Sequence, residues 1–96
     1  MIDKVENRYC VTGRMLIADA RALLEAGRGL LLAESGKEVL LDLASVEEAD
    51  SSALGVLFGL MRTANARGVQ LRLANPPAGL ISLAGLYGVS ESLRLA

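Results

Sequence analysis

Residues 38–60 read EVLLDLASVEEADSSALGVLFGL, and this stretch decides the fold. The apolar run Val39-Leu40-Leu41-Asp42-Leu43 predicts a strand buried on both faces. Ser45 to Ala49 predicts a short polar turn. Asp50-Ser51-Ser52 then stands directly ahead of a helical pattern, where small oxygen-bearing side chains accept bonds from the free N–H groups of the first turn. A buried strand that delivers hydroxyls to a helix start marks a candidate site. The positive end of the helix dipole favours a phosphate or a carboxylate there.

The helix predicted from Ser52 to about Ala66 has two faces at 100° per residue. Ala53, Val56, Leu57, Leu60, Met61 and Ala64 share one side, the expected core side. Ser51, Ser52, Gly55, Gly59, Arg62 and Ala66 share the other, with Phe58 on its shoulder. Two glycines one turn apart cost a helix about 1 kcal/mol each relative to alanine. One reading is a surface kept flat for the backbone of a partner, with Phe58, the chain's single Phe, as an apolar anchor. The other is packing against a neighbouring loop. Exposed, the strip of Gly55, Phe58 and Gly59 would also drive weak self-association of the unpartnered chain.

Outward from this unit, Ile2 to Val5 and Arg8 to Thr12 predict two short strands around a tight turn at Glu6-Asn7, with Gly13-Arg14 breaking the pattern. Asp19 is the expected N-cap of a helix reaching about Glu34, with Leu23, Leu24, Leu30 and Leu31 on one stripe and Gly27 and Gly29 weakening its middle. Ser35-Gly36 stops it. On the other side, Gly68 closes the Ser52 helix and VQLRL, Val69 to Leu73, alternates as a strand. Pro76-Pro77 opens a third helix ended by Gly88, and Ser92 to Leu95 predicts a last short strand. The order β-β-α-β-α-β-α-β implies one α/β domain over residues 1–96 with a mostly parallel sheet.

Composition removes several function classes. Ten basic and eleven acidic residues give a net charge of −1, which offers no basic face for nucleic acid. No run of about 18 apolar residues is present, so no membrane insertion is expected, and the amino-terminal MIDKVENRYC lacks the apolar stretch of a signal peptide. A cytoplasmic protein is expected. The chain has no His and one Cys, so an ordinary zinc site is excluded. Cys10 lies in a strand context and reads as a buried thiol. Neither a G-x-S-x-G elbow nor a phosphate-binding G-x-x-x-x-G-K loop occurs, and Leu32 spoils the Gly27-Arg28-Gly29 start of a dinucleotide loop. Glu47, Glu48 and Asp50 read as a solvated turn rather than an acid/base pair or cation site. No catalytic residue, metal or cofactor is expected.

At Asp50-Ser51-Ser52-Ala53-Leu54-Gly55, opening a helix after a strand, the chain resembles the STAS domain, shared by anti-sigma-factor antagonists and the cytoplasmic tails of sulfate transporters. The spacer from Val46 to Asp50 and the strand Gly68 to Leu73 belong to the same pattern, and the order of elements agrees from about Ile2 to Leu95. The resemblance implies a central mixed sheet with helices packed mainly on one side. In the antagonists, the hydroxyl residue after the Asp, here Ser51, is phosphorylated by a partner kinase, and the following helix binds that partner. The stand-alone STAS subunit of the Mla phospholipid-transport system (MlaB-like) instead binds the cytoplasmic ATPase (MlaF-like) of an inner-membrane ABC complex that maintains outer-membrane lipid asymmetry. Chain length and the segment Ser82 to Val89 are more similar to that subunit, and the antagonist pattern has a glycine where this chain has Ala53. The resemblance thus implies a regulatory subunit, peripheral on the inner membrane, whose partner-binding residues are Ser51, Ser52, Gly55, Phe58, Gly59 and Arg62. The antagonist, with Ser51 as phosphoacceptor, is the alternative.

Overall fold

The computed structural model describes residues 1–96. Four strands, β1 (Ile2–Val5), β2 (Arg8–Met15), β3 (Glu38–Ala49) and β4 (Gln70–Ala74), form one sheet in sequence order. β1 and β2 are an antiparallel hairpin closed at Val5 and Arg8, with Glu6 in the left-handed region at φ 58°. β3 runs parallel to both β2 and β4. Parallel neighbours need crossovers, and these are α1 (Ala20–Leu31) and α2 (Ser52–Ala66). The mixed sheet that the resemblance implies is the observed one, with one antiparallel and two parallel pairings.

Side chains alternate along the strands. Tyr9, Val11, Val39, Leu41, Leu43, Leu71 and Leu73 are buried against the helices. Their neighbours Arg8, Cys10, Leu40, Asp42, Arg72 and Ala74 face the other way and keep solvent access. The helices therefore cover one face only, and β3 is buried on one face, not two. Leu40 lies in register between Arg8 and Arg72 and is half-buried. Cys10 lies between Asp3 and Asp42 on this open face and is half-buried, short of the buried thiol expected.

β3 is also longer than its apolar run. Ser45 to Ala49, expected as a turn, stays extended because Thr12 to Met15 continue to pair with it, Thr12 with Ser45 and Met15 with Ala49. Gly13, expected to break β2, instead sits at φ 85° within a register shift that bends the strand. β4 ends opposite Asp42, so the outer half of β3 has one neighbour and tolerates polar residues.

α1 is preceded by a 3₁₀ turn, Ile17–Asp19, and stops at Leu31. Asp19 does not cap it; its carboxylate accepts the Leu16 N–H at 3.1 Å. Glu34, expected at the helix end, lies beyond it as the one buried charged residue. Its carboxylate binds Lys37 Nζ at 2.9 Å, Lys4 Nζ at 3.1 Å and the Tyr9 hydroxyl at 2.9 Å. The Tyr9 proton is shared with Leu30 O at 3.0 Å. These bonds, led by Lys37, hold the Glu34 carboxyl down at about 2, while burial and the neighbouring carboxylate push the Tyr9 phenol up.

Pro77, at φ −59°, precedes α3 (Ala78–Leu86), and Gly88 at φ 69° ends it as expected. The last predicted strand is reduced to a bridge. Ser90–Ser92 is a 3₁₀ turn, and Leu95 alone pairs with Leu73, held by Leu73 N to Arg94 O at 2.7 Å and Ala96 N to Leu73 O at 2.8 Å. No helix is long and apolar enough to cross a membrane.

Candidate partner-binding face

The start of α2 is organised by Asp50. Its Oδ1 accepts the Ser52 N–H at 2.8 Å and its Oδ2 the Ile17 N–H at 3.0 Å, tying the turn before α1 to the turn before α2. Burial opposes ionisation of this carboxyl, but the bonds from Ser52 and Ile17 outweigh it and hold it below the ordinary aspartate range. Ser51 is already helical, at φ −61° and ψ −21°, and its side chain caps nothing. Of the cluster Asp50-Ser51-Ser52 expected to accept first-turn bonds, Asp50 is the member that does so. Ala53 N and Leu54 N are also used, on Asp50 O at 3.0 Å and Ser51 O at 3.2 Å. The anion cradle anticipated here lacks free first-turn donors at residues 52–54. What remains is the exposed, unpartnered hydroxyl of Ser51.

The core side of α2 is as predicted: Ala53, Val56, Leu57, Leu60, Met61 and Ala64 are all buried, and Leu54 joins them. On the opposite side Ser51, Gly55 and Arg62 are exposed, and Ser52 and Phe58 half-buried. Gly59 is the correction. It is buried where α1 crosses α2, and a Cβ there would lie 2.7 Å from Leu24 Cδ1. Gly27 is its counterpart on α1, 2.5 Å from Leu60 Cδ2 by the same construction. These two glycines let the helices approach; neither faces a partner. Gly55, with nothing within 4 Å of a Cβ, is the glycine that leaves the surface flat.

Two shallow depressions, about 330 Å³ and 290 Å³, flank Phe58 and share it and Val89 as walls. One reaches Ser51, Leu54 and Tyr87; the other reaches Arg62 and Arg94. Together they form a groove along α2, bounded by the end of α3 and the carboxy-terminal turn. Tyr87, which lines it, is 58% exposed. The sequence reading missed Leu54, Tyr87, Val89 and Arg94. One signal was present: no charged residue occurs from Asn75 to Ser90. The acidic trio is dispersed in role, with Asp50 engaged in capping and Glu47 and Glu48 exposed, and no group of three His, Cys, Asp or Glu is placed to hold a metal.

This architecture, a four-stranded mixed sheet with a capped helix presenting a free serine, is that of a STAS domain. A family model described as "Mlab, STAS domain" matches residues 4–95, and the chain belongs to this family. A Thermotoga maritima protein classed as an anti-sigma factor antagonist superposes with TM-score 0.77 at 18% identity, covering 99% of this chain and 83% of that one. The anti-sigma factor antagonist SpoIIAA in its unphosphorylated form gives 0.74 at 15% identity, covering 100% and 86%. A sulfate transporter family protein from Wolinella succinogenes gives 0.68 at 21% identity, covering 91% and 70%. These likenesses establish the fold. No curated protein matches the sequence.

Proposed function

We propose that the chain is a non-enzymatic regulatory subunit that docks on the cytoplasmic ATPase of an inner-membrane, Mla-type phospholipid-transport ABC complex and supports its role in outer-membrane lipid asymmetry. The observation that carries this reading is the surface of exposed Ser51 and Gly55 beside half-buried Phe58, flat at its glycine, in a chain whose family is described by the Mla subunit. The residues beside it are suited to contact and not to catalysis: no His occurs in the chain, and Asp50, the carboxylate nearest Ser51 in sequence, is bound to two backbone N–H groups. In this reading the partner brings the chain to the membrane. Tagged full-length chain expressed in its native cells is expected to co-purify an ABC ATPase, and the ATPase is expected to be lost with Ser51→Glu. Recovery of an anti-sigma kinase instead of an ATPase would overturn the proposal.

The second reading, an anti-sigma antagonist switched at Ser51, is favoured by one observation: the Ser51 hydroxyl is exposed and unpartnered. SpoIIAA, which shares the fold, has been solved in both unphosphorylated and phosphorylated forms. Phosphate on Ser51 would stand beside the ionised Asp50 and add about two negative charges to the face. Phosphopeptide mass spectrometry on chain isolated from cells separates the readings.

A further inference from the structure

The groove along α2 has an uneven charge. At its far end Arg62 and Arg94 both line the depression, and neither forms an ion pair within the chain. No acidic residue lines that depression. Its apolar part is Phe58, Met61 and Val89. Arg62 is exposed, with its Nη2 3.6 Å from the place a Gly59 Cβ would take. Two cations without counterions beside an apolar trough are complementary to a carboxylate next to an apolar side chain.

We infer that this end of the groove receives an acidic segment of the partner protein, with one or two carboxylates between Arg62 and Arg94 and an apolar side chain over Phe58 and Val89. The inference rests on the partner-docking reading of α2 and extends it to the chemistry of the partner. From Ser51 to Arg62 the helix runs about 17 Å, enough for three turns of a docked helix or about five extended residues. A depression of about 330 Å³ accepts one or two side chains, which favours a protein segment over the acyl chains of a lipid. At the near end the partner meets the neutral Ser51 and the edge of Tyr87. The groove thus pairs an apolar stretch with a single basic end.

The test uses ¹⁵N-labelled full-length chain titrated with a 12-residue synthetic peptide, Leu- and Ile-rich with two Glu at one end, and with its Gln counterpart. The Glu peptide is expected to shift the amides of Phe58, Arg62, Val89 and Arg94, and to bind roughly tenfold or more tightly than the Gln peptide. Arg62→Ala with Arg94→Ala is expected to abolish that preference while leaving the spectrum of the folded chain in place. Equal binding of both peptides, or shifts confined to another face, overturns the inference. So does flotation with phosphatidylglycerol vesicles that the double variant loses, which would assign the arginines to a membrane surface, or dimerisation in sedimentation that the double variant loses, which would assign them to a second copy. Preference for the Glu peptide without any ATPase in a pull-down sustains the groove chemistry and removes the ATPase as its owner.

Discussion

A Cβ placed on Gly27 would sit 2.5 Å from Leu60 Cδ2 and 3.0 Å from Leu60 Cδ1, so the crossing of α1 over α2 depends on that missing methyl. Leu60 is buried and cannot swing into solvent. Gly27→Ala is therefore expected to destabilise the chain by about 1–3 kcal/mol, the overpacking cost exceeding the roughly 1 kcal/mol gained in helix propensity. Gly29, two residues on, is exposed with open space around it, and Gly29→Ala is expected to stabilise by about 0.5–1 kcal/mol. Thermal unfolding of the pair checks this. A Gly27→Ala variant as stable as Gly29→Ala would mean that the helices are not in close contact there.

How far the sequence was legible follows from the same residues. Periodicity located α2 and its core side correctly, because six apolar positions at helical spacing leave one phase open. It misplaced Gly59, because a helix carries two buried stripes when it is covered by both a sheet and a second helix, and a single-face projection shows one. The turn expected at Ser45 to Ala49 reflects another limit: strand pairing with Thr12 to Met15 is a long-range fact that polar composition conceals. The site was partly legible. Ser51, Gly55, Phe58 and Arg62 lie on one helix and share a projection, while Tyr87, Val89 and Arg94 reach the groove only through tertiary folding.

The division of labour between Asp50 and Ser51 is separable. Asp50→Ala removes two charge-assisted bonds to backbone N–H groups, on Ser52 and Ile17, and is expected to cost about 1–2 kcal/mol. Ser51→Ala removes no bond and is expected to change stability by less than about 0.5 kcal/mol. Urea midpoints of the two variants give the comparison directly. The reverse order would return the capping role to Ser51.

Acid lability is expected from Glu34. Its folded-state value of about 2 lies below the ordinary 4.5, so its ionised form stabilises the fold above that ordinary value, and the stabilisation fades as pH falls toward about 2. Asp42, held low by the Ala44 N–H and Asn75, and Asp50, held low against burial by the Ser52 and Ile17 N–H groups, act in the same direction. Unfolding free energy is expected to fall between pH 4.5 and 2, and Glu34→Gln to flatten that slope while lowering stability at neutral pH. A variant with the wild-type slope would remove Glu34 as a main contributor.

The core side of α2 supplies a plain stability test. Leu57 is wholly inaccessible within the hydrophobic core, so Leu57→Ala is expected to cost about 2–5 kcal/mol. Chemical denaturation measures it, and a loss below about 1 kcal/mol would mean that the helix phase is wrong.

On the opposite side, Gly55 provides the test of docking that Gly59 cannot. Arginine at Gly59 would have to displace Leu24 from the helix crossing, so lost binding there would not distinguish a broken interface from a disturbed fold. A Gly55 side chain meets nothing within 4 Å and projects beside Ser51 and Phe58. Gly55→Arg is therefore expected to leave stability equal or up to about 1 kcal/mol higher. The same substitution places a long cation on the strip where a partner backbone would lie, and is expected to weaken ATPase binding at least tenfold, about 1.4 kcal/mol. Ser51→Glu is expected to weaken it as well, by setting a second carboxylate beside Asp50, whereas Ser51→Ala should lose a single hydrogen bond, about 1 kcal/mol. Calorimetric titration of the folded variants against the ATPase reads all three. Binding unchanged by both Gly55→Arg and Ser51→Glu would move the partner to another face of the domain.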